Sequence, residues 1–187
     1  MKMIGIDTGV NGGMCLLQDG ELIEVCAVPN YWEKMKTKTP SGNVKRRRRI
    51  NYVVFADVIH RWAHPKGRDC DYILIEKVTA MPSNGAVSMF SFGEAWGAIQ
   101  AAAAMAGLKT AFVRPMDWKK HFNLLGTDKA DSIRLAREIW GKEHFPFAAD
   151  HNMAEAALIA RFGQETFKKT FAHYGNEILQ DGTQSKN

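Results

Sequence analysis

Two short apolar runs in the sequence each end in an acidic residue, and this repetition limits the folds open to the chain. Residues 2–7 read KMIGID and residues 72–76 read YILIE, so Asp7 and Glu76 close their runs. Both runs have the length and composition of strands buried in a sheet. If the two strands are neighbours, their acids meet at one edge of that sheet. Asp7 taken alone is equally typical of a turn, because Asp bonds nearby backbone at strand ends.

The pattern around these runs predicts an α/β fold with a five-stranded mixed sheet flanked by helices. Asp-Gly at positions 19 and 20 predicts a hairpin, so the first three strands form an antiparallel meander, and two later strands add in parallel. The expected strands are residues 2–7, 14–18, 21–28, 72–76 and 109–115. The expected helices are residues 50–63, 90–107, 116–122, 127–140 and 149–163.

A strongly basic segment interrupts this pattern over residues 30–49. Its cations are Lys34, Lys36, Lys38, Lys45, Arg46, Arg47, Arg48 and Arg49, with no acid between the first and the last of them. Thr-Pro-Ser-Gly at residues 39–42 predicts a flexible basic loop. A mobile, solvated loop is the simplest interpretation. Adjacent cations repel each other, however, so binding to a polyanion explains the run more economically.

Composition limits the class of protein. The chain has 187 residues, of which 45% are hydrophobic and 24% charged, with a formal net charge of +5. This balance is typical of one soluble globular domain. The sequence has no signal-peptide pattern and no apolar run of about 18–20 residues. Its three cysteines lack metal-type spacing and are expected to be free buried thiols. We therefore expect a cytoplasmic protein that does not enter a membrane.

Acids also occur near the start of the last predicted helix, at Asp150 and Glu155. A helix packed beside the sheet edge would add one of them to the strand-borne pair. Carboxylate oxygens are the ligands that Mg²⁺ prefers. Two such ions about 3.5–4 Å apart would activate a water and stabilise the leaving oxygen in phosphodiester hydrolysis. The pattern thus predicts a nuclease-type metal site.

Six segments follow one another in the sequence: IGIDTGVNGG, YILIEKV, FGEAWGAIQAAAAMAG, VRPMDWKKHF, TDKADS and MAEAALIA. This ordered set resembles the RuvC family of Holliday junction resolvases, within the RNase H-like superfamily. The set, which covers residues 2–163, is far more specific than any single motif in it. The resemblance implies an RNase H-like nuclease domain over residues 1–163 that includes the basic loop. A C-terminal extension over residues 164–187, with a flexible tail, follows.

The resemblance also implies the site residues. The family's acids fall on Asp7, Glu76 and Glu155, whereas a further acid or histidine of the family falls on Asn152, which is a departure. Asp150 is either the N-cap of the helix or, if the helix begins after it, a fourth carboxylate. His151 is either a surface residue or a general base. We predict Asp7, Glu76, Asp150 and Glu155 as catalytic ligands of two Mg²⁺ ions, with Mn²⁺ able to substitute.

Basic residues complete the expected interface. In the family, lysines near the site contact the scissile phosphate and its neighbours, and these positions fall on Lys119 or Lys120 and on Lys129. The predicted DNA contacts of the basic loop are Arg46, Arg47, Arg48 and Arg49. A stripe of small side chains on one predicted helix permits close approach of either the domain's own sheet or a second copy. The stripe is Gly93, Gly97, Ala101 and Ala104.

The resulting hypothesis is a Mg²⁺-dependent, structure-selective endodeoxyribonuclease that cuts Holliday junctions or other branched DNA as a homodimer. One alternative keeps the chemistry and changes the substrate to flaps, forks or RNA–DNA hybrids. Another is a non-catalytic junction-binding relative, suggested by Asn152. Sugar kinases and actin-like ATPases share the I-G-I-D-x-G start, but they need two such domains and a second Gly-rich hairpin, for which this chain is too short.

Overall fold

A five-stranded mixed sheet lies at the centre of the computed structural model, which describes residues 1–64, 70, 72–77 and 85–166. The strands of the chain are β1 (Lys2–Ile6), β2 (Gly13–Gln18), β3 (Glu21–Ala27), β4 (Asn30–Lys38), β5 (Val44–Ile50), β6 (Tyr72–Glu76) and β7 (Lys109–Val113). The central sheet has the order β3-β2-β1-β6-β7. The β1–β2 and β2–β3 pairs are antiparallel, whereas β1–β6 and β6–β7 are parallel. The predicted meander with two parallel strands is confirmed.

The tight turn between β2 and β3 follows from its two residues. Asp19 and Gly20 both have positive φ, 52° and 90°, which is the geometry of the type I′ turn that Asp-Gly favours in hairpins. This turn matches the right-handed twist of the two strands that it joins. The meander is therefore determined locally, by residues adjacent in the sequence.

Helices cover both faces of the sheet. They are α1 (Tyr52–Ala63), α2 (Ala86–Met105), α3 (Pro115–His121), α4 (Lys129–Trp140) and α5 (His151–Glu165). One buried cluster joins Ile4 and Ile6 to side chains of α1 and α2. The opposite cluster joins Met3 to side chains of α3, α4 and α5. Alternate residues of β1 thus face the two layers, as the period of a strand requires.

Several helix boundaries differ from the prediction by two residues, and the start of α2 differs by four. Residues 86–89 belong to α2 and not to the preceding loop, because Gly85 forms the extended N-cap and no breaker follows it. The last helix, α5, continues to Glu165, two residues past its predicted C-terminal boundary. Most of the predicted extension, residues 167–187, lies outside the described residues, so its flexibility stays a prediction.

Helix α5 lies unusually close to the centre of the sheet. A Cβ atom on Gly5 of β1 would stand 2.2 Å from the carbonyl oxygen of Ala156, and one on Gly13 of β2 would stand 2.3 Å from that of Asn152. Both neighbours are backbone atoms, which cannot move aside as a flexible side chain can. Glycine at these positions lets α5 rest on β1 and β2, and this contact brings the start of α5 to the turn after β1.

The expected flexible loop over residues 30–49 is wrong, because these residues form the antiparallel hairpin β4–β5, a separate two-stranded sheet. Successive side chains on a strand point to opposite faces, so the four adjacent arginines are divided between two faces. Glu33 lies directly opposite Arg47 in the pairing, and their side chains are 2.5 Å apart. The repulsion expected from the linear charge run is therefore relieved across the strands.

The small-residue stripe on α2 does not pack against the domain's own sheet. Gly93 and Gly97 are exposed, and a Cβ atom added to either would meet no heavy atom of the described chain within 4 Å. Ala101 and Ala104 are exposed as well. Of the two expected uses of this stripe, close contact with the sheet is excluded.

The remaining expectations concern membranes and thiols. No helix in the described part of the chain is both long and apolar enough to cross a bilayer. The three cysteines form no disulfide among the described residues, and Cys15 and Cys70 are buried, whereas Cys26 is half-buried.

Candidate functional site

Asp7 and Glu76 meet at one edge of the sheet. Ile6 pairs with Ile75 in the parallel register of β1 and β6, so Asp7 and Glu76 occupy the next positions on neighbouring strands. The two side chains are close enough for the charge of Glu76 to act on Asp7. Asp7 is only 8% exposed. The two strand ends thus create a carboxyl pair in which Asp7 is buried and Glu76 is half-buried.

Thr8 fixes the spacing of this pair. Its hydroxyl donates to the backbone carbonyl oxygen of Glu76 at 2.7 Å, so the residue after one acid is bonded to the backbone of the other. On the far side, the backbone N–H of Lys77 donates to the carbonyl of Val113 in β7 at 2.7 Å. Both strand ends are therefore held by bonds beyond the regular ladder.

Glu155 is the third carboxylate of the site. It lies in the second turn of α5 and is 7% exposed, and its Oε1 accepts from the hydroxyl of Ser132 in α4 at 3.2 Å. Lys119 Nζ, from α3, lies 3.3 Å from the same oxygen. Three elements thus meet at Glu155. Lys119 is the cation that the fold brings to the cluster.

The carboxyl pair is electrostatically strained. Burial raises the pKa of Asp7 well above its usual range, and the charges of Glu76 and Glu155 raise it further, while Lys119 opposes them. Burial likewise raises the pKa of Glu76, against the lowering effect of a hydrogen bond from Trp118. One lysine does not offset three carboxyl groups in a site shielded from water. The cluster therefore carries a surplus of negative charge that a bound cation would relieve.

Trp118 orients Glu76. Its ring is fully buried, and its indole Nε1 donates to Glu76 Oε1 at 2.9 Å. A buried indole N–H needs an acceptor, and here that acceptor is a site carboxylate. From the sequence, Trp118 is better explained as a core residue. It is a core residue, but it also holds Glu76 in position.

We expect Trp118→Phe to move the titration midpoint of Glu76 to higher pH. The substitution keeps a buried aromatic ring but removes the donor that favours the ionised carboxylate. The lost bond to a charged group should cost about 1.5–3 kcal/mol of unfolding free energy. The measurement is NMR titration of labelled Glu side-chain carboxyl carbons.

The matched control is Trp140→Phe. Trp140 is also buried, but its Nε1 donates to the backbone carbonyl of Gly20 at 2.9 Å. It should lose a comparable bond while leaving the Glu76 midpoint unchanged. An equal shift in both variants would show that the Trp118 bond does not tune Glu76.

Asp150 is not brought into this cluster. The helix begins after it, as one alternative required, but Asp150 Oδ2 accepts from the backbone N–H of Phe147 at 2.8 Å. The side chain thus closes the short 3-10 turn Ala148–Asp150 instead of turning towards the strands. The charges that act on Asp7 come from Glu76 and Glu155. Asp150 as a fourth ligand stays a prediction that the observed geometry does not favour.

Asn152 has a role that an acid could not fill. Its Nδ2 donates to the backbone carbonyl of Asn11, in the Gly-rich turn between Asp7 and β2. A carboxylate at this position has no hydrogen to donate. The departure from the family pattern thus ties the turn to α5. In the same turn, a Cβ on Gly12 would stand 2.0 Å from the carbonyl oxygen of Asp7, so this glycine serves internal packing.

The candidate lysines and His151 lie in different surroundings. Lys119 touches the cluster, whereas Lys120 is exposed on the same helix. Lys129 Nζ lies 3.3 Å from His151 Nε2, and His151 Nδ1 lies 3.4 Å from the carbonyl of Ala148. This pair forms a second polar group at the start of α5.

The four arginines of the hairpin divide into two pairs. Arg47 is bonded to Glu33, and Arg49 is bonded to Glu94 of α2 and lies 3.6 Å from Glu33. Arg46 and Arg48 lie on the opposite face and are exposed. All four arginines were predicted to contact DNA. In the structure, Arg47 and Arg49 are in ion pairs with acids of the chain, whereas Arg46 and Arg48 are exposed.

The donor types at the cluster fit a hard divalent cation, since three carboxyl groups, two buried and one half-buried, share a single lysine. Asp7 and Glu76 are the pair that would hold it. Within the described part of the chain, however, no three Asp, Glu, His or Cys side chains are placed to hold one ion together. Glu155 instead contacts Ser132 and Lys119.

Comparison with known proteins supports the fold. No protein-family model matches the sequence, and no curated protein matches it. Among solved structures, the chain is similar to Thermus thermophilus RuvC in complex with a Holliday junction substrate, with a TM-score of 0.58 and 19% identity over 90% of this chain and 95% of that one. It is also similar to a structure of Thermus thermophilus RuvC alone, with a TM-score of 0.55 and 20% identity over 90% and 96%. The fold is therefore RuvC-like and RNase H-like.

Proposed function

We propose that the protein is a Mg²⁺-dependent endonuclease that cleaves Holliday junctions or other branched DNA and belongs with the RuvC resolvases. The observation that carries the proposal is the carboxyl cluster in which Asp7 and Glu76, at two strand ends of a RuvC-like fold, lie near Glu155 of α5. The solved relative bound to a Holliday junction supports this substrate class. Flaps, forks and RNA–DNA hybrids are the alternative substrates of the same chemistry.

The chain's own residues would divide the work of phosphodiester hydrolysis. Two Mg²⁺ ions, or Mn²⁺ in their place, would supply activation of the attacking water and stabilisation of the leaving oxygen. Asp7 and Glu76 would hold the metal, and Trp118 would keep Glu76 oriented through its indole N–H. Lys119, beside Glu155, would offset negative charge that grows on the phosphate. Exclusion of water by the buried strand ends strengthens each of these interactions.

A homodimer would place two such sites on opposed strands of a junction. The exposed stripe of Gly93, Gly97, Ala101 and Ala104 supports this part of the proposal, because small side chains permit close approach of a helix from a second copy. Large apolar side chains also lie open on this helix. They are Phe90 at 71% and Met105 at 89% exposure.

A non-catalytic junction-binding protein is the second candidate. It is favoured by Asn152, which bonds the Gly-rich turn instead of offering a carboxylate. It is also favoured by the lack of a ready three-ligand group among the described residues. Against it stands the charge surplus of the cluster, since a carboxyl pair with raised pKa values costs stability that a binding protein does not need.

The deciding experiment uses a supercoiled plasmid that extrudes a cruciform, incubated with the full chain and Mg²⁺. A dimer that cuts opposed strands should convert this plasmid to a linear product with cuts at the cruciform base. The matched control is a relaxed plasmid of the same sequence, which should stay intact. Nicked circles alone would contradict the paired sites. Tight junction binding with no cleavage in Mg²⁺ or Mn²⁺ would favour the non-catalytic candidate.

A further inference from the structure

One face of the β4–β5 hairpin combines an exposed aromatic ring with cations that form no ion pair with the described residues. In the strand pairing, Trp32 lies opposite Arg48 and Lys34 lies opposite Arg46. All four side chains are exposed, and Trp32 is 56% exposed. We call this surface the Trp32 face. The opposite side carries Glu33 with its ion pairs to Arg47 and Arg49, so the acid of the hairpin is absent from the Trp32 face.

The Trp32 ring is held in position from one side. The Arg48 guanidinium lies 4.9 Å from the ring centroid, a cation–π contact. Arg48 in turn donates to Asn11 Oδ1 at 2.6 Å. An exposed tryptophan with a fixed ring loses little side-chain freedom when a ligand stacks on it. Its free surface is therefore a preorganised stacking platform.

An open groove of about 510 Å³ adjoins this ring. It is lined by Trp32, Met35, Thr39, Val44, Lys45 and Arg46. Three apolar side chains form its lining together with two cations and one hydroxyl group. A flat apolar group with neighbouring negative charge matches this lining, and a nucleotide has both parts.

The platform is joined to the candidate active site by a short chain of bonds. Arg48 contacts the side chain of Asn11, and the backbone carbonyl of Asn11 accepts from Asn152 at the start of α5. On the other side, Arg49 is bonded to Glu94 of α2. These contacts bind the hairpin to the turn after Asp7 and to a second helix. A nucleotide on Trp32 would thus be held at a defined place relative to the carboxyl cluster.

We propose that the Trp32 face binds unpaired nucleotides, with a base stacked on Trp32 and neighbouring phosphates on Lys34 and Arg46. Paired bases in a duplex are stacked on each other and offer no free ring face, whereas unpaired bases do. The cations supply the sequence-independent attraction to phosphate. That these nucleotides belong to the branch point of the substrate rests on the proposed function. The binding itself requires no cleavage.

The test measures binding of the full chain to fluorescein-labelled oligothymidylate and to blunt duplex of the same length, in EDTA. We expect tighter binding of the single strand. Trp32→Ala should weaken that binding about tenfold without changing its salt dependence, because stacking is not ionic. Trp32→Phe should retain most of the affinity, and Trp32→Leu, which keeps apolar area without a ring, should not.

Arg46→Ala and Arg47→Ala form a matched pair of charge controls. They remove the same charge from adjacent positions on opposite faces of the hairpin. Arg46→Ala should lower the slope of log affinity against log salt by about 0.7, the value for one phosphate contact in a single strand. Arg47→Ala should change affinity by less than about twofold, as a screened distant charge would.

Unchanged single-strand affinity in Trp32→Ala would overturn the proposal and leave the face to an acidic protein partner. Equal affinity of the wild type for single strand and duplex would overturn the preference for unpaired nucleotides. Equal losses of single-strand affinity in Arg46→Ala and Arg47→Ala would show that only the net charge of the hairpin matters. That result would also count against the proposal. Junction cleavage together with single-strand binding that does not depend on Trp32 would sink this inference alone, whereas Trp32-dependent binding without cleavage would sink only the nuclease.

Discussion

Replacing Asp7 by Asn, or Glu76 by Gln, is expected to slow junction cleavage by about a thousandfold in Mg²⁺, equivalent to ~4 kcal/mol of lost transition-state stabilisation. Each change preserves the size of the side chain and removes an anionic oxygen from the pair at the ends of β1 and β6. Junction affinity in EDTA should be unchanged or slightly higher, because the change removes negative charge facing DNA. Single-turnover cleavage rates and binding isotherms measure the two effects separately.

Asp150→Asn is the discriminating comparison for this prediction. It makes the same chemical change at a different carboxylate. Asp150 accepts a hydrogen bond from the backbone N–H of Phe147, and the amide oxygen of an asparagine can accept the same hydrogen bond. We expect cleavage to stay near the wild-type rate, while Glu155→Gln should lose it as Asp7→Asn does. Normal cleavage in Asp7→Asn would remove the carboxyl pair from the site. Loss of cleavage in Asp150→Asn would show that Asp150 turns into the site when DNA binds.

Asp7→Asn is also expected to stabilise the folded protein at neutral and alkaline pH. The pKa of Asp7 is raised in the folded state. The free energy of unfolding therefore falls as the pH rises from the unfolded-state pKa to the folded-state pKa, and at any higher pH it stays lower by the full amount. The uncharged amide avoids this penalty. We expect a gain of about 1–2 kcal/mol at pH 8, which is about 2–4 °C in Tm per kcal/mol for a chain of this size.

Thermal unfolding at about pH 4.5 and pH 8, with and without Mn²⁺, checks this prediction. The gain should be smaller at the lower pH, where the unfolded state has begun to release the Asp7 proton but the penalty is only partly developed, and should grow at the higher pH. Mn²⁺ should raise the Tm of the wild type more than that of the variant, since binding to the folded state stabilises it. A gain equal at both pH values would place its cause outside the titration of Asp7. A lower Tm in the variant at pH 8 would contradict the proposed charge strain.

Local patterns in the sequence account for most of the central architecture. Strands β1 and β6 are short apolar runs that each bring an acid to their end, and Asp19-Gly20 adopts the turn that its residue types favour. The Ala-rich helix and the strand after it also follow from local composition. The hairpin β4–β5 does not, because its stability depends on Glu33 facing Arg47 across the strands and on Arg49 meeting Glu94 in α2. The order of charges along the sequence indicates only repulsion between the cations of this hairpin.

The partners of the acids were equally hidden from the sequence. Trp118 can be assigned to the core from its context, but its bond to Glu76 depends on how α3 meets the end of β6. Ser132 and Lys119 reach Glu155 from two other helices. A buried tryptophan needs an acceptor for its N–H, and this requirement is the one signal that pointed beyond packing.

The sequence by itself determined the strand-ending acids Asp7 and Glu76 and the mixed sheet that joins them, because residue type and periodicity along a strand are local properties. Only the tertiary structure determines the surroundings of Glu155 in α5, since Gly5 and Gly13 let that helix lie directly on β1 and β2. In this packing Glu155 is buried against Ser132 and Lys119, whereas Asp150 bonds its own turn. The contacts of Glu155 join residues far apart in the chain, which no local pattern contains.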